Sequence, residues 1–431
     1  MPQVKSFDEI IAYFKSILEK FPDKRTGKNK RYAIIDVALS AFSIFFTQMP
    51  SFLAYQRTMD QNKGRNNAKS IFGVEKIPSD NHIRDLLDEV EASRVFPVFA
   101  EILESLESHL GEFRSFNQNL LVAMDGTEYH GSTKISCPQC SSRLLKNETT
   151  QYFHSVITPV IVSPNQNKVI PLIPEFILPQ DGHDKQDCET AAAKRWVNKY
   201  GDEYALKKVT ILGDDLYSRQ PFCELLLEKH LNFILVCKPD SHKTTYDYMD
   251  GMTADTVSIK YQKGKVYEIY TYRYVNQIPL RASEDALMIN WCELTITNSV
   301  GKITFKNAFA TNHLITNNNV QTLVAAGRSR WKVENENNNT LKTKGYHLEH
   351  NFGHGQKHLS ALLATFNILA FLFHTLLDLT DKKYQLIRQN LPSRQTFFDD
   401  LRALTRYMFF DNWNKLLDFM ILGLELEFPP P

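Results

Sequence analysis

Apolar positions fall into three regimes along the chain. Up to about residue 112 they recur at helical spacing. Phe7, Ile10, Ile11, Phe14, Ile17 and Leu18 share one helix face. An apolar segment over 32–49 stops at Pro50, and Ser79-Asp80 stands as an N-cap before the amphipathic run NHIRDLLDEV. A further helix is predicted over roughly 95–110. Residues 1–112 therefore read as all-helical.

Between 113 and 238 the pattern changes to short continuous apolar runs bounded by turn signals: LLVAMD from Leu120, YFHSVITPVIV (152–162), VIPLIPEFIL (169–178), VTIL (209–212) and NFILVCK (232–238). Runs without alternation suit strands covered on both faces. A turn within SPNQNK joins the second run to the third. Helices are predicted over 184–200, with Asp184 as cap, and over 220–230. The resulting order is β-β-β-α-β-α-β.

From 239 to 313 apolar and polar residues alternate in TVSIKYQ, KVYEIYTYRYV, LMINWCELTIT and KITFKNAFAT, which predicts antiparallel strands. Helix returns over 314–380, with Asn318 or Asn319 as cap, and 381–431 adds one or two helices before a frayed FPPP tail. The expected fold is α/β: a mixed-sheet core over 113–238 and 314–380, a β-rich insertion at 239–313, an all-helical N-terminal domain and C-terminal helices.

At 431 residues the chain has room for two or three domains. Its 43% hydrophobic and 23% charged content is that of a globular protein. A net charge of +1 argues against a uniformly basic nucleic-acid binder, so any DNA-contacting surface must be local. Lys24, Arg25, Lys28, Lys30 and Arg31 crowd one such loop, read equally well as a phosphate contact on a DNA-end-binding domain or as a solvated loop on a packing domain. The N-terminus has no basic region leading into an apolar one, so no signal peptide is expected, and six cysteines suit a reducing cytoplasm. The run 359–379 is as long as a bilayer span. It contains Ser360, Thr365, Asn367, His374 and Asp378, so a buried core helix is the favoured reading.

Three carboxylates stand at element edges: Asp125 after the first strand, Asp214 after the fourth, and Glu334 in the helical stretch RSRWKVENENNNTLKTKG (328–345). A phosphoryl-transfer site with two divalent ions about 4 Å apart requires such shared oxygen ligands. Asp215 competes with Asp214, and Glu336 with Glu334. Neighbours on extended backbone point to opposite sides, and residues two apart on an α-helix lie about 200° apart, so one of each pair serves. Arg330 lies one turn before Glu334, and Lys342 sits about 80° round the helix from it. Asn is a poor helix former, and the run Asn335, Asn337, Asn338 and Asn339 is explained if amides face nucleic acid. The bland alternatives are a turn-accepting aspartate and a salt-bridged surface helix.

On these residues the chain resembles a DDE transposase of a bacterial insertion sequence, of the group whose RNase H-like core carries a β-rich insertion before the last acid. Arg330, Val333, Glu334 and Lys342 fit that group's motif, with the Lys one residue late and Gly327 where a Tyr often stands. Asp214 stands three residues before Tyr217, as the group often has it. The resemblance spans roughly 120–379, and the β-β-β-α-β-α-β order agrees with the RNase H-like plan. It implies that Asp125, Asp214 and Glu334 are catalytic and hold two Mg²⁺ or Mn²⁺. It also implies that Arg328, Arg330, Trp331, Asn338, Lys342 and Lys344 contact DNA. The partners would be double-stranded DNA, at element ends and target, and a second copy of the chain in a synaptic complex. The setting would be bacterial cytoplasm, at the nucleoid, with no membrane. Two other classes stay open: an RNase H-like nuclease that cuts without joining, and a non-catalytic DNA-binding protein derived from a transposase.

Cys137-Pro138-Gln139-Cys140 can be half of a structural zinc site, with His130, His154 or Cys188 as sources of the other half, or a surface turn. A redox role lacks its βαβ setting. His347, His350, His354 and His358 are read as structural or phosphate-contacting.

Overall fold

The computed structural model describes residues 5–27, 30–60, 66–179 and 188–427. Lys28, Asp184 and the FPPP tail lie outside the described residues. The N-terminal region carries α1 (Phe7–Leu18), α2 (Ile34–Phe46), α3 (Phe52–Met59), α4 (Asp80–Leu87) and α5 (Phe96–Ser105). Local chemistry sets their starts. Ser6 and Glu9 form a capping box on α1, and the Ser51 hydroxyl accepts the Ala54 N–H on α3. Ser79 takes the N-cap position of α4 as expected, but its hydroxyl meets His82 Nδ1 at 2.7 Å instead of capping the helix.

The strands follow: β1 (Leu120–Ala123), β2 (Gly126–Ser132), β3 (Ser141–Leu144), β4 (Thr150–Ile157), β5 (Val160–Ser163), β6 (Gln166–Pro171) and β7 (Glu175–Ile177). Two long predicted strands are each cut. The first breaks at Thr158-Pro159, where proline withholds a ladder N–H. The second breaks after Pro171. Helix α6 (Glu189–Leu206), β8 (Val209–Gly213), α7 (Gln220–Glu228), β9 (Asn232–Val236) and a short unpredicted α8 (Lys243–Met249) come next. The alternating segment forms β10 (Asp255–Lys263), β11 (Val266–Pro279), β12 (Met288–Asn298) and β13 (Ile303–Thr311), all antiparallel.

The fold is mixed α/β. A nine-stranded sheet has the order β10-β11-β12-β13-β9-β8-β1-β5-β6. β8 lies parallel to both β1 and β9, and the other pairings are antiparallel. The alternating segment thus extends the central sheet through β13 and β9, where Ala310 pairs with Leu235. A four-stranded sheet of β2, β4, β3 and β7 stands beside it. Every residue of β1 is buried, as its unbroken apolar sequence requires.

Helical backbone resumes with α9 (Val320–Arg328) and continues through a π-helical turn, Val333–Asn338, into α10 (Asn339–Thr343). The apolar helix α11 (Leu359–Thr380) follows, then α12 (Lys382–Asn390), α13 (Arg394–Tyr407) and α14 (Trp413–Gly423). α11 is long and apolar enough to cross a membrane, yet 89% of that stretch is buried within the fold. Two of its buried polar side chains find one partner each inside the fold, leaving Asn367 Oδ1 and His374 Nε2 unpaired among the described residues. Asn367 donates to the Tyr346 carbonyl at 2.7 Å, and His374 Nδ1 meets the Tyr346 hydroxyl at 2.6 Å. Phe373 of α11 packs against Phe7, Phe14, Phe42 and Phe46, so the N-terminal helices and α11 share one aromatic core.

The turn entering α11 is held from outside. Asp88, just past α4, accepts the backbone N–H groups of Gln356, Lys357, His358 and Leu359 at 2.9–3.2 Å. Burial by itself would raise its pKa, but these four donors hold the carboxyl below its usual value. Gly355 has φ of 68°, and a Cβ there would collide with Asp88, so the approach needs glycine. Asp88→Ala leaves the donors without their acceptor and is expected to cost about 1–3 kcal/mol of stability, read by chemical denaturation.

Candidate active site

The parallel pair β1 and β8 fixes the site. Ala123 pairs with Leu212, so Asp125 and Asp214 each stand two residues past one register point, at the same carboxyl end of the sheet. Crevices at the carboxyl ends of parallel strands are where α/β sheets place reactive groups. Asp214 Oδ1 accepts the Leu216 N–H at 2.8 Å, closing a turn that buries Tyr217. The Tyr217 hydroxyl donates to Glu189 Oε1 at 2.6 Å, and the Gly126 N–H donates to the same oxygen at 3.0 Å. Glu189, the first residue of α6, thereby sits against the Asp125–Gly126 corner. A Cβ on Gly126 would run into its carboxylate.

Asp125 is held on two sides. The Thr158 N–H donates to its carbonyl at 3.2 Å, and Asn338 Nδ2 donates to its Oδ2 at 3.0 Å. Asn338 Oδ1 in turn accepts from the Thr158 hydroxyl at 2.6 Å and from Asn337 Nδ2 at 2.9 Å. The Asp125 carboxyl is pushed up to about 7. Burial is the main cause, followed by the negative charges of Glu189 and Glu334; Arg330 opposes them, and Asp214 adds to the rise. The negative charges of Glu189, Glu334 and Asp214 thus bear on Asp125, while Asp215 and Glu336 stand elsewhere.

Those two acids have other work. Asp215 accepts the Lys238 N–H at 2.7 Å and the Ser241 hydroxyl, and it lies 3.7 Å from His242 Nε2, tying together the loops after β8 and β9. Glu336 lines a different cavity with Lys168, Asp378, Arg388 and Arg394.

Glu334 is exposed and paired with Arg330 at 2.7 Å. Its backbone is π-helical, so the α-helical angles expected for Glu336 and Lys342 do not apply. π turns carry i→i+5 bonds and occur often at functional sites. The turn is anchored by Lys332. Its buried ammonium donates to the carbonyls of Ser163 and Gln166 at 2.6 and 2.5 Å, at the β5–β6 turn. The expected DNA-contacting residues divide. Trp331 and Lys344 are exposed, Lys342 pairs with Glu349 at 2.9 Å, and Arg328 lies over the Phe305 ring at 4.6 Å. Asn338 departs from the expectation: it is buried and turned inward, because its amide holds Asp125 and Thr158.

Glu189, Thr158 and Tyr217 are site neighbours that the sequence reading did not assign. A Glu in the first turn of a helix reads as an ordinary dipole partner. Only the Gly126 corner that it supports could have drawn attention to it.

A second cluster lies on the smaller sheet. Cys137 and Cys140 occupy the turn between β2 and β3, His154 is on β4, and His354 is in the turn before α11. The side-chain donor atoms of all four lie within 4.8 Å of one another. Of the three partners weighed for the cysteine pair, His154 is there. His130 flanks the cluster, its ring 4.5 Å from that of His354, and Cys188 is outside it. His354, read as structural or phosphate-contacting, sits 3.5 Å from Cys140 Sγ.

No family model matches the chain, and no curated protein matches it.

Proposed function

We propose that the protein is a metal-dependent DNA-cutting and DNA-joining enzyme, a transposase of the DDE type. The observation that carries this reading is that Asp125 and Asp214, 89 residues apart in the sequence, stand at the same end of a parallel strand pair, with the negative charge of Glu334, 120 residues further on, bearing on Asp125. The strand order β6-β5-β1-β8-β9 supports an RNase H-like core, with the first three chain-order strands antiparallel and the next two parallel to the first. β10 to β13 fall between that core and the Glu334 turn, where the resemblance puts an insertion.

The donor set fits hard divalent cations. It is all oxygen, and Asp125 is buried beside the negative charges of Glu189, Glu334 and Asp214. Asp125, Asp214 and Glu334 would hold two Mg²⁺ or Mn²⁺, which when bound activate the attacking oxygen and stabilise the leaving oxygen. The chain's own part is positional. Asn338 fixes the Asp125 carboxylate, the Leu216 N–H fixes Asp214, and Arg330 orients Glu334. Arg330, paired with Glu334, and the exposed Lys344 and Trp331 would contact the phosphate backbone or a displaced base. Element ends and target are the proposed DNA, with two copies of the chain in the joining complex.

The test uses labelled element-end DNA and target DNA with the full chain, in Mg²⁺, Mn²⁺ or chelator. Metal-dependent nicking followed by transfer of the new 3′-hydroxyl into target is expected. Cutting without transfer would favour the nuclease reading. Binding without cutting in either metal would favour the non-catalytic one. Asn338→Ala should leave Asp125 in place but loosely held, lowering Mn²⁺ affinity and cutting by roughly 10- to 100-fold, measured by titration calorimetry and initial rates.

A further inference from the structure

The strongest unassigned feature is the Cys137, Cys140, His154 and His354 cluster. We infer that these four side chains form a tetrahedral zinc site with a structural role. The spacing of the donor atoms carries the inference. A zinc ion with bonds of about 2.3 Å to sulfur and about 2.0–2.1 Å to nitrogen, at tetrahedral angles, places its sulfurs about 3.8 Å apart and each sulfur about 3.5–3.6 Å from each nitrogen. The two Sγ atoms are 3.8 Å apart. His154 Nε2 lies 3.5 Å from Cys137 Sγ and 3.4 Å from Cys140 Sγ, and His354 Nε2 lies 3.5 Å from Cys140 Sγ. Both imidazoles present the same nitrogen to the sulfurs.

The local backbone brings the two sulfurs together. The Cys140 N–H donates to the Cys137 carbonyl at 3.1 Å, which makes a tight turn, and the Cys137 N–H points at Cys140 Sγ from 3.4 Å. The turn joins two β-strands, so neither cysteine has the helix N-terminus that lowers a redox thiol's pKa. Two neutral thiols would each give up a proton on binding, and the resulting thiolates with two neutral imidazoles make a charge-neutral site with Zn²⁺.

The ligands come from three places: the β2–β3 turn, the middle of β4, and a turn more than 200 residues further on, since Cys140 and His354 are 214 positions apart. The ion would pin the smaller sheet to the entry of α11. Asp88 grips the same turn from the N-terminal helices. The site is therefore where the smaller sheet, the core helix and the N-terminal helices are fastened together. Four nitrogen and sulfur ligands leave no open position, which marks a structural site and not a catalytic one. The inference does not rest on the DNA-cutting reading.

The experiment is elemental analysis and native mass spectrometry of the full chain purified under thiol reductant without chelator. About one zinc per chain is expected. Replacement by Co²⁺ should give the intense visible bands of a tetrahedral thiolate complex. Cys140→Ser and His354→Ala should lose the ion and melt at lower temperature, and His130→Ala, next to the cluster but outside it, should keep both the ion and the cobalt spectrum. If Cys140→Ser does not fold, His354→Ala and the cobalt spectrum of the unaltered chain decide the matter. A folded, reduced chain that takes up no zinc on reconstitution would overturn the inference. So would His130→Ala losing metal as fully as His354→Ala, or a metal-free Cys137–Cys140 disulfide that forms and reduces reversibly.

Discussion

Asp125→Asn is expected to lower metal-dependent cutting of element-end DNA by roughly 10³-fold or more, with Asp214→Asn and Glu334→Gln close behind. Each replacement is nearly isosteric, so under the proposed function shape and DNA binding should persist while a proposed anionic oxygen ligand is lost. The three losses should not add, because ligands that hold the same ions act as a unit. Asp215→Asn and Glu336→Gln are the internal controls and should stay within a few-fold, since one is spent on the loop around Lys238 and the other faces a separate cavity. Initial rates in Mg²⁺ and Mn²⁺ measure all five. Equal loss in Glu336→Gln would remove the assignment of Glu334.

The same substitution should have an opposite effect on stability. Asp125 has a folded-state pKa of about 7 against an ordinary 3.8. The folded chain therefore binds this proton more tightly than the unfolded chain does. Stability from this group is fully present below about pH 4 and declines as pH rises through about 7. Above that, the metal-free protein carries an ionised, half-satisfied carboxylate among other acids. Asp125→Asn removes that charge and should raise Tm most at pH 8 in chelator, and clearly less at pH 5, where the folded carboxyl is still protonated. A variant that is more stable and inactive is what a site kept at the expense of fold stability gives. Thermal scans at the two pH values would show it, and an equal change at both would point to packing instead.

Phe373→Ala is the second large effect. The ring is fully buried and meets Phe42 at 5.1 Å and Phe7 at 6.0 Å between centroids, with Phe14 and Phe46 further round. Truncation in such a site loses the transfer free energy of the ring and leaves a cavity that rigid neighbours cannot fill, together about 3–5 kcal/mol. Tm should fall by several degrees. The loss falls where the N-terminal helices meet α11, so limited proteolysis should cut among α1 to α5 first. Residual cutting per folded molecule should be close to normal at low temperature, because Phe373 belongs to the shared aromatic core and not to the acid cluster.

Much of this was legible because burial leaves a periodic trace. LLVAMD, VTIL and NFILVCK announced strands covered on both faces, and the alternating runs after 239 announced four antiparallel ones. Asp125 and Asp214 could be singled out because a charged residue ending an apolar run is conspicuous. The less legible parts depend on contacts between distant residues. Nothing in VENENN distinguishes a π turn from an α turn; Lys332 reaching the β5–β6 carbonyls accompanies it, and that contact is more than 160 residues away in sequence. Asn338 looked like a surface amide because the sequence does not show which way a side chain points once the helical register changes. His354 sits in a glycine-rich stretch without helical or strand rhythm, so its place beside Cys140 could not be read from spacing. Glu189 lies within the helix predicted over 184–200, where an acid is unremarkable, and only the folded corner at Gly126 gives it meaning.

The continuation of the sheet through β13 has a consequence for how this chain can be shortened. An insertion folded as a separate body could be excised and its ends rejoined. Here β13 satisfies the N–H and C=O groups along one side of β9, so deleting 239–313 would turn an interior apolar strand into an open edge. Such an edge is a template for pairing with other chains. The present outer strand, β10, is a safer border: it is largely exposed and carries Asp255 and Lys260 among polar neighbours. Strands β10 to β13 thus keep β9 from becoming an open edge, and a chain trimmed of them is expected to aggregate.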